Sequence, residues 1–265
     1  MTDRYFLWMA FVFYVGASAL TLWRLRSERS QSSLHHINVI LIVVGFLMQL
    51  VGLILRGQNL HRCPLTNPFE VTVFIVWALV LFYLVIGPSY RVSFLGAFTA
   101  PVVTLILLTG LLTASDAPHA LVLKHSPWVE FHAGIGILAC GAFALAFVVA
   151  AMDLVQNRQL KSHHPSPTFR LLPAVEQLGV IGVRLLMLGF ILLTVGMIGG
   201  VISDKLVEAW PWQKVAWAWT TWWVYAALLA ARTIGNWRGQ KASVATMAAF
   251  IFLLTAYWGT SWLAR

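Results

Sequence analysis

Long apolar runs, without the alternation of a half-buried strand, dominate the chain. Eight of them can span the ~30 Å hydrocarbon core of a bilayer as helices. They predict helices over Tyr5–Trp23, Ile37–Leu55, Val71–Gly87, Ser93–Ala114, Trp128–Val155, Leu178–Ile202, Val215–Ala231 and Ala242–Leu263. Continuous rather than alternating runs favour helices over a membrane β-barrel. The connections are mostly short. The expected architecture is all-α: one membrane domain over residues 1–265, a bundle of eight transmembrane helices with no soluble appendage.

Composition strengthens this reading. Hydrophobic residues make up 60% of the 265 positions and charged residues only 10%, against about 25% charged in a soluble domain. Too few polar residues are present to surface a soluble protein, and too many apolar ones for a disordered chain. Within the first run, Ala17-Ser18-Ala19 resembles a signal-peptide cleavage site. The bases flank it the wrong way, however: Arg4 is offset by Asp3, while Arg24, Arg26 and Arg29 follow the run. It is read as a retained helix.

Eighteen bases against nine acids give a formal charge of +9. No basic run is long enough to track phosphates, so nucleic acid is not an expected partner. The distribution of the bases instead predicts orientation. The odd-numbered connections carry ten bases and three acids, among them Arg91, Arg158, Lys161, Arg170, Arg232, Arg238 and Lys241. The termini and even-numbered connections carry seven bases and six acids. The ten-base face should be cytoplasmic and both termini outside. The protein is expected in a bacterial cytoplasmic (inner) membrane, in contact with lipid. Cys63 and Cys140 are too few for a disulfide framework or a zinc site.

The outward face gathers the residues of chemical interest. It holds the loop Gln58–Asn67 with His61, the connection with His119 and His125, and His132 one turn into the fifth helix. It also holds Trp210, Trp212, Trp217, Trp219, Trp222 and Trp223. An interfacial aromatic belt accounts for one or two tryptophans per helix end. So dense a cluster also suits a flat platform for a planar ligand such as porphyrin, whose iron takes imidazole. His132 has two readings of its own, a functional ligand or a side chain bonded to a neighbouring carbonyl. His35, His36, His163 and His164 read as solvated surface. G-x-S-x-G, H-E-x-x-H, P-loop and C-x-x-C-H motifs are absent. No mid-helix carboxylate, inverted repeat or paired broken helix suggests a coupled transporter.

Several segments, in order, resemble the integral-membrane cytochrome c assembly family (CcsA, ResC, CcmC and their relatives). They are Cys63-Pro64-Leu65-Thr66-Asn67-Pro68-Phe69-Glu70 with Phe74 and Trp77, and Ser126-Pro127-Trp128-Val129-Glu130-Phe131-His132. Leu172-Pro173 with Glu176 and Leu178 follows, then Gly189-Phe190, Leu193-Thr194-Val195-Gly196 and Gly200. Thr221-Trp222, Val224-Tyr225-Ala226, Arg232, Trp237-Arg238-Gly239, Tyr257 and Gly259 complete the match. The resemblance runs from about residue 56 to the end. It implies eight helices with the tryptophan segment outside, and haem held there by histidine and presented to apocytochrome c. His132 matches an external axial ligand, and Trp210, Trp212 and Trp217 match the tryptophan platform.

The chain also departs from the family pattern. Its Trp210-Pro211-Trp212-Gln213-Lys214-Val215-Ala216-Trp217 is one residue shorter than the usual signature and lacks its acid. Ala230 stands where a seventh-helix histidine is common, and the chain ends at Arg265 without a second external histidine after the last helix. These departures suggest the short YpjD/HemX branch. The leading expectation is a non-enzymatic haem-binding component of c-type cytochrome biogenesis. Its site would combine His132, Trp210, Trp212, Trp217, Trp219 and Trp222, with His61, His119 or His125 as second imidazole. Its partners would be apocytochrome c or other assembly proteins. The alternative is a HemX-like regulator whose basic loop Gln156–Arg170 contacts a tetrapyrrole-pathway enzyme.

Overall fold

The computed structural model describes residues 2–27, 32–61, 63–65, 67–89, 95–112, 127–161, 174–204 and 212–263. Among these, the chain forms eight α-helices: α1 Thr2–Ser27, α2 Ser32–Leu60, α3 Pro68–Ser89, α4 Leu95–Leu112, α5 Pro127–Lys161, α6 Val175–Asp204, α7 Trp212–Thr233 and α8 Gln240–Leu263. Each predicted apolar run coincides with one helix. Six helices are long and apolar enough to cross a membrane, those from α1 to α6. Gln213, Lys214, Thr220, Thr221 and Arg232 dilute the apolar character of α7, and in α8 the described side chains form an apolar stretch over Gln240–Thr255. The helices group into two compact units, one centred on α1–α4 and one on α5–α8.

In the first unit, polar side chains tie helices whose outer faces are greasy. Tyr14 of α1 is buried and donates from its hydroxyl to Gln49 Oε1 of α2 at 2.9 Å. Gln49 Nε2 in turn donates to the Val73 carbonyl of α3 at 2.7 Å. Asn38 Nδ2 donates to Thr21 Oγ1 at 2.7 Å, and the Ser18 and Thr104 hydroxyls lie 3.0 Å apart between α1 and α4. Small residues and interhelical hydrogen bonds replace the hydrophobic effect as the glue between helices in lipid. A Cβ on Gly45 would lie 2.7 Å from the Tyr14 ring, so only glycine lets α2 approach there. Helix α3 is apolar all round and largely buried, whereas α1 and α2 expose Trp8, Val12, Ile40 and Ile54.

The start of α3 is built locally. Asn67 accepts the Glu70 N–H on its Oδ1 at 2.7 Å, and Pro68 occupies the first helical position, where no N–H is needed. That cap aims the buried Glu70 carboxylate at α2. Arg56 donates from Nε to Glu70 at 2.9 Å and from Nη1 to Asp3 of α1 at 3.1 Å. Arg4 and Arg56 both lie over the Phe69 ring, at 5.2 and 4.9 Å from its centroid.

In the second unit, α5 is the central helix. It is buried over most of Ile137–Met152, a stretch rich in alanine. Phe143 stacks on Tyr225 of α7, with centroids 3.6 Å apart and planes 13° apart. The same ring lies against Gly189 of α6, where a Cβ would come within 2.5 Å of it. Phe147 meets Phe250 of α8 at 5.4 Å. One turn and a half further, the Ser243 hydroxyl of α8 donates to the buried Asp153 carboxylate. Asp153 also attracts the Arg232 guanidinium of α7, which lies against Gly182 of α6. All four helices of the unit therefore meet at one polar end.

Candidate functional site

The other end of the second unit carries His132. Helix α5 opens at Pro127, with Glu130 in its first turn, where a carboxylate suits the positive end of the helix. Trp128 and Phe131 are exposed and meet edge to face at 6.2 Å. His132 turns inward, half-buried against α6. Its Nδ1 lies 2.6 Å from the Gly196 carbonyl oxygen.

Gly199 and Gly200 make this approach possible. A Cβ on Gly200 would stand 2.9 Å from His132 Nδ1 and 3.0 Å from Cε1, and one on Gly199 would stand 3.1 Å from Phe131. These two adjacent small positions form a shallow seat for the two rings. The bond also selects a tautomer. A carbonyl only accepts, so Nδ1 carries the proton and the basic lone pair belongs to Nε2. This is the arrangement by which proteins orient an imidazole for a metal, with the distal N–H held by a carbonyl. The carbonyl bond and the ligand role, opposed alternatives in the sequence, are thus compatible.

The tryptophans of α7 divide over three faces. At 100° per residue, Trp212, Trp219 and Trp223 fall on one stripe. That stripe is outward, with relative exposures of 73%, 49% and 63%. Trp217 turns towards α8 and meets Phe252 at 5.5 Å. Trp222 turns towards α6, meets Phe190 at 5.2 Å and donates from Nε1 to Thr194 Oγ1 at 3.0 Å. Thr194 passes its own proton to the Phe190 carbonyl at 2.8 Å. The Trp219–Trp222 and Trp222–Trp223 pairs are edge to face, with planes at 68° and 89°. The rings therefore form a faceted corner, not one continuous plane. Thr194 and Gly196 are two residues apart on α6, so Trp222 and His132 are fixed at nearly the same level of that helix.

His61 belongs to the first unit, exposed in the turn that ends α2, with φ of 51° and its N–H on the Gln58 carbonyl at 3.3 Å. Trp210, His119 and His125 lie outside the described residues. The sequence reading missed three contributors: Thr194 as the partner of Trp222, the buried Arg56–Glu70–Asp3 cluster behind the α2–α3 loop, and Asp153 with Ser243 and Arg232. Arg56 carried the available signal, a base set directly against the end of the apolar run Ile37–Leu55. Its two carboxylate partners come from separate helices.

Long apolar helices in number define a multi-pass α-helical membrane protein. Its second half, and part of its first, match the sequence model of a known family, described as "Cytochrome C assembly protein", over residues 65–265. The chain belongs to that family. Similar relatives include the cytochrome c biogenesis protein CcsA of Prochlorococcus marinus (strain MIT 9215), 23% identical over 253 residues that cover 86% of this chain and 82% of the relative. CcsA of Mesostigma viride is 25% identical, covering 83% and 81%. CcsA of Chlorella vulgaris is also 25% identical, covering 80% and 79%.

Proposed function

We propose that this protein is a non-enzymatic membrane component of c-type cytochrome biogenesis that binds or presents haem at the outer face of a bacterial cytoplasmic membrane. In this reading all eight helices cross the bilayer as one membrane domain, and both termini are outside. Family membership and the CcsA names of the relatives support the biogenesis role. They favour it over a HemX-like regulator.

The observation that carries the haem reading is the 2.6 Å bond from His132 Nδ1 to the Gly196 carbonyl. It orients an imidazole whose Nε2 is basic, which is what a haem iron requires of an axial ligand. His132 would hold the iron, and His119 or His125 would supply a second imidazole. The exposed stripe of Trp212 and Trp219, with Trp222 and Trp217 at its flanks and Trp210 before it, would shelter the macrocycle edge. Haem supplies the group that is attached to the cytochrome, and this chain's residues only bind, orient and exclude water. Apocytochrome c and other assembly proteins are the partners.

The test is an absorption spectrum of the detergent-purified protein beside His132→Ala. Two imidazole ligands give a low-spin spectrum that is lost or converted in the variant. A protein that carries no haem, takes none up on addition, and is unchanged by His132→Ala overturns the ligand assignment.

A further inference from the structure

We propose that the groove between α7 and α8 binds an anionic phospholipid, with an acyl chain along the groove and the phosphate at the basic α7–α8 turn. The groove has a volume of about 410 Å³, within the roughly 300–1,000 Å³ of small-molecule sites. It exists because alanines face each other across the helix pair: Ala227 and Ala231 on α7, Ala245 and Ala248 on α8. Trp237 lines the end at the turn and Phe252 the opposite end. The groove runs about 10 Å from the level of Ala231 to that of Val224. At its inner end Phe252 packs on Trp217, which closes the trough towards the middle of the helix pair. A chain entering from the turn fits this shape. A membrane-crossing helix would have to clear the Trp217–Phe252 pair.

The charge at the open end selects the headgroup. Lys241, Ala245, Ala248 and Phe252 follow one another at helical spacings of four, three and four, so they share one face of α8. Lys241 thus stands one turn beyond the groove's last alanine, at the level of the turn. Arg238 follows Trp237 directly. Both bases are exposed. The sequence contains no acid after Glu208. Asp153 of α5 is buried and takes its hydrogen bond from Ser243, on the opposite side of α8 from Lys241, and Glu176 in the first turn of α6 is exposed. The turn itself is rigidly built: Asn236 and Gly239 have φ of 50° and 60°, and the Trp237 N–H donates to the Ala231 carbonyl at 3.0 Å. An apolar trough that ends in a tryptophan and two bases matches the profile of a lipid in one leaflet, greasy below and anionic at the surface.

The intact protein, purified in a mild detergent, tests this by native mass spectrometry and by titration with phosphatidylglycerol or phosphatidylcholine in mixed micelles. The wild type should retain a phospholipid and prefer phosphatidylglycerol. Arg238→Gln and Lys241→Gln, both surface changes, should each weaken phosphatidylglycerol binding about fivefold and leave phosphatidylcholine unchanged. Ala248→Phe should fill the groove and abolish retention. The haem spectrum should be the same in all of them, which separates this site from the one at His132. Equal binding of the two lipids, no effect of the charge changes, or no retained lipid overturns the proposal. So does disulfide dimerisation of an Ala248→Cys protein in membranes, which would make the groove a contact between two copies.

Discussion

The Nδ1 of His132 and the carbonyl oxygen of Gly196 are 2.6 Å apart, and the glycines around that carbonyl are what let the ring come so close. Gly200→Ala therefore tests the seat without touching the ligand. Its Cβ would stand 2.9 Å from Nδ1, so the ring must tilt or α6 must shift. Overpacking of this kind costs about 1–3 kcal/mol. The expected outcome is a protein that still inserts and folds, with haem affinity reduced about tenfold. Titration of the purified variant with haem measures it, and an unchanged affinity would show that the seat does not position the imidazole.

The tryptophans should separate into two classes. Trp222 is held by Thr194 and Phe190, so Trp222→Phe loses a hydrogen bond worth about 1 kcal/mol and lowers the unfolding midpoint in detergent. Trp212→Phe and Trp219→Phe touch an outward stripe and should leave that midpoint within the error of the measurement. Under the haem reading they should still weaken haem retention. Stability and haem content measured on the same preparations distinguish the classes. If all three variants behave alike, the division into faces has no energetic meaning.

Arg56 sits between two carboxylates with little access to solvent. Removing Arg56 takes the shared cation from two buried carboxylates, a loss of about 3–5 kcal/mol. Arg56→Met should therefore lower the unfolding midpoint sharply, and Glu70→Gln, which leaves Arg56 paired with Asp3, should lower it less. The double change should cost less than the sum of the two, because the charges it leaves behind are fewer. Thermal unfolding followed by tryptophan fluorescence gives all three values. Strict additivity would mean that the pair is too well hydrated to matter.

The existence of each helix was legible because lipid-facing surface demands apolar residues over about thirty ångströms. Helix lengths were not, because apolarity reports lipid contact and not backbone geometry. Helix α5 runs to Lys161, past the predicted end at Val155, through Gln156 and Asn157. Both are polar, yet Gln156 is buried and Asn157 back-bonds to the Asp153 carbonyl. Helix α2 likewise extends from Ser32 to Leu60 around the apolar core Ile37–Leu55. His132 stood out as an intramembrane imidazole. Its partner did not, since a backbone carbonyl leaves no mark in a sequence beyond the glycines beside it. The tryptophan cluster was visible as composition, but composition merges faces that the helix separates: spacings of seven and four unite Trp212, Trp219 and Trp223 and turn Trp217 and Trp222 away. The Arg56 cluster joins residues from three helices, and nothing local links them.

The orientation and the number of crossings can be tested together. In a background of Cys63→Ser and Cys140→Ala, a single cysteine replaces either Gln58, exposed at the end of α2, or Asn236, exposed in the α7–α8 turn. Five helices, α3 to α7, separate the two positions. If all five cross, the probes are on opposite sides. The ten-base face then puts Asn236 inside and Gln58 outside. A membrane-impermeant maleimide added to intact cells should label Gln58→Cys alone, and Asn236→Cys only after permeabilisation. Labelling of both in intact cells would mean an even number of crossings, with α7, the less apolar helix, the one that fails to cross. Reversed labelling would carry His132 and the tryptophans to the inner face, where an outward presentation of haem is impossible.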